Sequence, residues 1–122
     1  MSGLLDVNKF ERLYRRTKKA KGKEGAVVYI KLRPIAPGKI RVLTHVTVEN
    51  RTAGFTKCRL GIDQSGAIHY LDELQNIAAN ELAVARSDIL LGEGDYFFAE
   101  LTGTHDPDQL VMTCAGWEQR LK

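Results

Sequence analysis

The most restrictive feature of this sequence is a series of short segments in which apolar and polar residues alternate. The clearest is Ile40–Glu49, which places on one face Ile40, Val42, Thr44, Val46 and Val48. A period of two is the pattern of a β-strand with one buried face. Turn-forming residues separate this segment from its neighbours, as in Asn50–Gly54 and Asp63–Gly66. The pattern predicts strands joined by tight turns.

Similar segments recur to the end of the chain. The predicted strands are Ala26–Arg33, Ile40–Glu49, Phe55–Ile62, Ala67–Leu71, one or two within Glu81–Leu91 that end in Ile89-Leu90-Leu91, Tyr96–Leu101 and Leu110–Ala115. Asp72–Asn80 fits either an extended segment or a helical turn, and Gly116 is expected to end the last strand. Seven or eight strands at a spacing of about 8–12 residues predict an all-β fold, an antiparallel β-sandwich of Greek-key or jelly-roll topology.

The N-terminal part of the chain differs from the rest in charge. Residues 1–25 hold eight basic and three acidic side chains, a net +5, whereas residues 26–122 hold ten basic and twelve acidic ones, a net −2. The overall +3 therefore describes a mildly acidic body with a basic arm. We divide the chain into an N-terminal amphipathic helix and basic arm, residues 1–25, and a β-sandwich domain, residues 26–122.

The arm contains a helical pattern followed by a polar run. Residues 4–16 show the three-to-four spacing of a short amphipathic helix, and residues 17–25 lack an apolar anchor and predict a solvated tether. A helix this short needs a docking partner, either the chain's own body or a neighbouring subunit. The predicted docking residues are Val7, Phe10, Leu13 and Tyr14. The predicted electrostatic contacts are Arg12, Arg15, Arg16, Lys18, Lys19, Lys21 and Lys23.

No residue pattern predicts catalysis, a metal site or a cofactor. His45 and His69 lack a second ligand at the neighbouring i+2 position. The loop His105–Asp108 gathers an imidazole and two carboxylates, a set that suits a cation but is also ordinary turn composition. Gly92-Glu-Gly94 precedes an aromatic strand and lacks the Lys-Ser/Thr of a phosphate loop. We therefore predict a protein that is not an enzyme and has no cofactor.

The cysteines and the hydropathy pattern bear on the compartment. Cys58 and Cys114 are too few for a disulfide scaffold and predict buried, reduced thiols. No apolar run approaches the roughly 18–20 residues that span a bilayer, and the N-terminus has no apolar signal region. We expect synthesis in the cytoplasm and no membrane partner.

Three turn motifs occur in an order that is similar to a known group of proteins. Val46–Thr52 ends in Asn-Arg-Thr, Ile89–Asp95 is Ile-Leu-Leu-Gly-Glu-Gly-Asp, and Val111–Glu118 ends in Cys-Ala-Gly-Trp-Glu. This order resembles small β-sandwich structural proteins of tailed bacteriophages, in which a strand ending in Asn-x-Thr, a Gly-Asp hairpin and a last strand closing on Ser-Gly-x-Glu recur. The resemblance spans about residues 42–118.

The resemblance implies a non-enzymatic virion protein, made in the host cytoplasm, in the head, its decoration or the neck and tail junction. Such proteins form symmetric multimers, so the implied partners are neighbouring copies and other virion proteins. In that setting the arm would contact an adjacent subunit or, non-specifically, packaged nucleic acid. We expect that deletion of residues 1–25 leaves a folded sandwich that no longer assembles.

Two other functions fit the residues. The basic arm fits a nucleic-acid-binding accessory protein, because a flexible Lys/Arg run binds phosphate backbones without reading sequence. A carbohydrate-binding sandwich would use as stacking surfaces Trp117, Tyr96 and Tyr70.

Overall fold

The alternating segments form two antiparallel sheets in the computed structural model, which describes residues 10–85 and 87–121. The nine strands of these residues are β1 (Phe10–Lys21), β2 (Val28–Lys31), β3 (Lys39–Asn50), β4 (Phe55–Gln64), β5 (Ala67–Ile77), β6 (Ala83–Val84), β7 (Ile89–Leu91), β8 (Asp95–Thr102) and β9 (Gln109–Arg120). No helix occurs within the described ranges. The predicted all-β antiparallel sandwich is confirmed.

The strands pair from the two ends of the chain inward. β1 pairs with β9, β2 with β8, β3 with β7 and β4 with β5, all antiparallel. The first sheet has the order β1-β9-β3-β6, with β7 also on β3, and the second sheet has the order β2-β8-β4-β5. In this series, successive pairs of strands belong alternately to the first and the second sheet, as in a long hairpin folded into two layers.

The core lies between the two sheets. Leu43, Val46 and Val48 of β3 and Phe97 and Leu101 of β8 have no exposed surface and belong to one apolar cluster. Burial of a side chain of this size stabilises the fold by about 1.5–3 kcal/mol. Because successive side chains of a strand point to opposite faces, this cluster also fixes which residues lie on the two outer faces.

The strand β3 changes face in its middle, which the sequence pattern did not predict. A β-bulge between Leu43 and His45 shifts the register against β9. Val46 and Val48 point into the core as predicted, but Leu43 replaces Val42 there, and Thr44 is exposed. The prediction that one uninterrupted face runs from Ile40 to Val48 is therefore wrong, because the extra residue of the bulge reverses the alternation.

The N-terminal prediction is also corrected. Residues 10–16 are part of β1 and not of a helix, and residues 17–21 continue that strand instead of forming a solvated tether. β1 pairs along its length with β9, whose backbone groups would otherwise be unpaired at the edge of the first sheet. The remainder of the predicted helix, residues 4–9, lies outside the described residues. The boundary drawn at residue 25 falls after a strand of the first sheet.

Two strands are longer than predicted. β5 continues to Ile77, so most of the ambiguous segment Asp72–Asn80 is extended. β9 continues to Arg120, so Gly116 lies inside the last strand and does not end it. β1 and β9 each have twelve residues and pair with one another along one side of the sandwich.

Candidate functional site

The predicted docking residues do not share one surface. Leu13 is 58% exposed on the outer face of the first sheet, whereas Tyr14 is 9% exposed and belongs to the core. The Arg41 guanidinium lies over the Tyr14 ring, with Cζ 3.7 Å from the ring centroid. Phe10 begins β1, and Val7 lies outside the described residues. Tyr14 therefore docks on its own domain, and Leu13 is available to a partner.

The predicted cations of β1 divide between two faces of the strand. Arg15, Lys19 and Lys21 alternate with Tyr14 and are exposed on the same face as Leu13. Arg16 and Lys18 lie on the Tyr14 side, at the opening between the two sheets. The basic residues thus line an edge of the first sheet, because β1 is the terminal strand of that sheet. Lysine on an edge strand opposes pairing with a similar edge.

The segment after β1 is attached to the loop between β8 and β9. The Gly22 backbone N–H donates to the Asp108 carbonyl at 2.9 Å, and the Lys23 N–H donates to Thr104 Oγ1 at 3.0 Å. Before residue 21, the backbone is held by the pairing of β1 with β9, in which Arg12 lies opposite Glu118. The backbone is therefore held on both sides of residue 21, while the Lys23 side chain remains exposed.

An apolar row crosses the outer face of the first sheet. Leu13 of β1 lies opposite Trp117 of β9, Trp117 opposite Val42 of β3, and Val42 opposite Leu90 of β7. Leu13, Trp117 and Leu90 are 58%, 46% and 63% exposed. Contiguous exposed apolar residues of this kind mark interaction surfaces. The alternation in the sequence placed Val42 on the same face as Val46, because it gives no sign of the bulge in β3 that moves Val42 to the outer face. Leu90 had no pattern that marked it as part of a surface.

The second long edge of the sandwich is β5, which is apolar and acidic. β5 has eleven residues, whereas the edge strands β2 and β6 have four and two. Its apolar side chains Ile68, Tyr70 and Leu71 are about half exposed. An open groove of about 520 Å³ is lined by Tyr70, Leu71, Asp72, Glu73 and Ser87. We call this surface the acidic edge.

Four aromatic rings cluster on the outer face of the second sheet. Tyr29, Tyr70 and Tyr96 surround Phe98 with centroid distances of 6.1, 6.0 and 6.4 Å. The Tyr29 and Tyr70 hydroxyls both donate to Glu100 Oε1 at 3.3 Å. Partial burial and the Glu100 carboxylate raise the pKa of Tyr29. Trp117 lies on the other sheet, so the three residues expected to bind carbohydrate do not form one surface.

The loop His105–Asp108 forms a structural turn. Asp108 Oδ2 accepts hydrogen bonds from Asn50 Nδ2 and from the His105 backbone N–H, both at 2.9 Å. His105 Nδ1 lies 3.8 Å from the same oxygen. No group of three or more potential metal ligands occurs within the described residues. Burial opposes ionisation of Asp108, but these hydrogen bonds and the nearby imidazole lower its pKa.

We expect the Asp108 carboxylate to make stability depend on acid pH. Because its pKa is lower in the folded state, its contribution is fully present above the unfolded value of about 4 and is lost as the pH falls through the folded value. Denaturant midpoints measured from pH 6 to pH 3 should therefore fall less steeply in Asp108→Asn than in the original chain. Parallel slopes would contradict this assignment.

Both cysteines are buried and unreactive. Cys58 and Cys114 are free thiols with no exposed surface, as the sequence predicted. Burial raises the pKa of each thiol to about 12. Since the thiolate is the nucleophile, neither side chain is activated at neutral pH. The described residues also include no helix long and apolar enough to cross a membrane.

Comparison with solved structures shows where this fold occurs. A chain of the acid-stable capsid of Helicobacter pylori bacteriophage KHP30 matches with a TM-score of 0.56 at 14% identity, covering 86% of each chain. A chain of infectious bursal disease virus, Gx strain, matches with a TM-score of 0.55 at 10% identity; 90% of this chain is covered, but only 32% of that one. No protein-family model and no curated protein matches the sequence. At these identities the likeness shows a common β-sandwich fold.

Proposed function

We propose that this protein is a non-enzymatic structural protein of a virion that assembles with copies of itself. The observation that carries the proposal is a pair of long edge strands of opposite charge, β1 and β5, each of which pairs with a neighbouring strand on one side and leaves its other side open. The occurrence of the same fold in a phage capsid chain supports the virion setting. The motif order over residues 42–118 supports a tailed phage, with the protein in the shell, its decoration or the neck. Synthesis is then in the host cytoplasm.

The two long edges lie on opposite sides of the sandwich. β1 contacts β2, the first strand of the second sheet, and β5 is the strand at the far end of that sheet. A contact between β1 of one copy and β5 of the next is therefore head-to-tail. Such contacts close into rings or continue as filaments, depending on the rotation between copies.

Charge selects this contact over the alternative of two β1 strands. β1 carries six basic residues and Glu11, a net +5, whereas β5 carries Asp72 and Glu73 and no Lys or Arg, a net −2 that Arg59 of β4 offsets in part through its ion pair with Glu73. Two β1 edges would bring like charges together, which disfavours pairing. The β1 strand and the acidic edge attract one another, and addition of a strand to an open sheet edge is a common mode of recognition. The pairing order of the strands further supports a jelly-roll topology for the assembling unit.

Charge reversal on the outer face of β1 tests this contact. Arg15→Glu/Lys19→Glu should convert oligomers of the full chain into monomers in native mass spectrometry, because β1 would then face the acidic edge with carboxylates. Both side chains are exposed, so the circular dichroism spectrum should not change. Lys31→Glu/Lys57→Glu, which makes the same change in net charge on the outer face of the second sheet, should assemble normally.

Mixing distinguishes a head-to-tail contact from a two-fold one. The β1 variant keeps its acidic edge, so it should add to one end of an original oligomer and shorten the distribution. A variant that stays inert in the mixture would overturn the proposed head-to-tail geometry. A strict monomer at all concentrations of the original chain would overturn the proposed function.

A further inference from the structure

A cavity of about 270 Å³ opens between the two sheets on the β1 side of the sandwich. Residues from β1, from the segment after β2, from β3 and from β9 line it. Five of them are basic, and one is acidic. The basic residues are Arg16, Lys18, Arg33, Lys39 and Arg41; the acidic residue is Glu118. We call this cavity the basic pocket.

Arg41 is the fixed cation of the basic pocket. Its Nε donates to Glu118 Oε2 at 3.0 Å, and its Nη2 donates to the same oxygen. Its guanidinium is stacked on the Tyr14 ring, and its side chain is only 11% exposed. The carboxylate of Glu118 therefore forms an ion pair with Arg41. Four further cations surround the cavity, and its described lining offers no second carboxylate.

We propose that the basic pocket binds a phosphate or pyrophosphate group. Excess positive charge from several elements of the fold, gathered around a partly enclosed cavity, attracts anions and is stabilised by them. Arginine and lysine together suit phosphate oxygens, since the guanidinium donates in a fixed fork and the ammonium acts as a mobile point charge. The volume lies just below the roughly 300–1,000 Å³ of pockets for drug-sized ligands, which fits a small anion.

The assignment does not depend on self-assembly. Arg33 and Lys39 lie outside β1, so they can be changed without altering the edge strand proposed to pair with another copy. Two sources could supply the phosphate group to the pocket: a free anion and a nucleic-acid backbone. Competition between the two sources separates them.

Isothermal titration of the full chain with inorganic pyrophosphate at about 50 mM salt tests the pocket. Arg33→Glu/Lys39→Glu should weaken binding at least about tenfold, because each lost charged hydrogen bond is worth about that factor. Lys31→Glu/Lys57→Glu, on the outer face of the second sheet, has the same net charge as the pocket variant and should bind as the original chain does. Pyrophosphate should also raise the Tm of the original chain and of this control, but not that of the pocket variant.

A single-stranded DNA 20-mer and a poly-glutamate peptide complete the experiment. If DNA displaces pyrophosphate and the pocket variant binds DNA more weakly, the nucleic-acid backbone is the source of the phosphate group. If the chain binds pyrophosphate but not DNA, the ligand is a free anion. Equal weakening in the pocket and control variants would show non-specific attraction and overturn the proposal. Absence of binding, or binding of poly-glutamate alone, would overturn it as well.

Discussion

Removal of residues 1–25 is expected to unfold the protein instead of leaving a soluble sandwich that has lost only its ability to assemble. The structure reverses the earlier expectation because β1 covers β9 along its length and places Tyr14 in the core. Truncation of a buried aromatic side chain alone costs about 3–5 kcal/mol, against a total stability of about 5–15 kcal/mol. The deletion also exposes the backbone groups of β9 along a twelve-residue edge.

Two adjacent point variants separate the contribution of β1 from the effect of shortening the chain. Tyr14→Ala should lower the free energy of unfolding by about 3 kcal/mol or more, since the ring is buried beneath Arg41. Leu13→Ala, at an exposed position, should change it by less than about 1 kcal/mol. Urea denaturation followed by circular dichroism measures both. A deletion variant with the original midpoint would show that the arm is separable after all.

The error at the N-terminus has a physical explanation. Phe10 and Tyr14 are four residues apart, which places them on one face of a helix, and the intervening Glu11, Arg12 and Leu13 have good helix propensity. The strand has no matching signal, because its inward side contains Tyr14 but also Arg16 and Lys18. What decides the outcome is the unpaired edge of β9, far away in sequence, which offers β1 hydrogen bonds along its whole length.

The sandwich itself was predictable because its central strands carry the pattern locally. Val46, Val48 and Phe97 are buried as the alternation indicates, whereas Tyr96 and Phe98 point to the outer face. The charge difference between the arm and the body was also visible in the sequence. The surfaces of the protein could not be predicted in the same way. Arg16, Arg33 and Arg41 line one cavity, the basic pocket, but no local sequence pattern indicates that these side chains lie close together.

The bulge in β3 did leave a sequence signal, which is the glycine opposite it. Gly116 pairs with Leu43 at the point where the register of β3 shifts. A glycine inside a strand often marks a bulge or a close approach of another backbone. Interpreted in this way, Gly116 would have indicated that β9 continues past it and that β3 changes face nearby.

Gly116→Ala is accordingly expected to be among the most destabilising single substitutions in this chain. An added Cβ would overlap the Val42 carbonyl oxygen and lie 2.8 Å from the Val42 carbonyl carbon and 2.9 Å from Leu43 Cα. These are backbone atoms of a central strand, so no side-chain rotation relieves the overlap. Overpacking of this kind costs about 3 kcal/mol or more, and the Tm should fall by about 10 °C.

Gly92→Ala is the matched control, because an added Cβ there meets nothing nearer than Asp95 Oδ2 at 3.7 Å. It should leave the Tm unchanged or raise it slightly, since alanine restricts the unfolded chain more than glycine does. If Gly116→Ala were as stable as Gly92→Ala, the close approach of β9 to the bulge would be wrong.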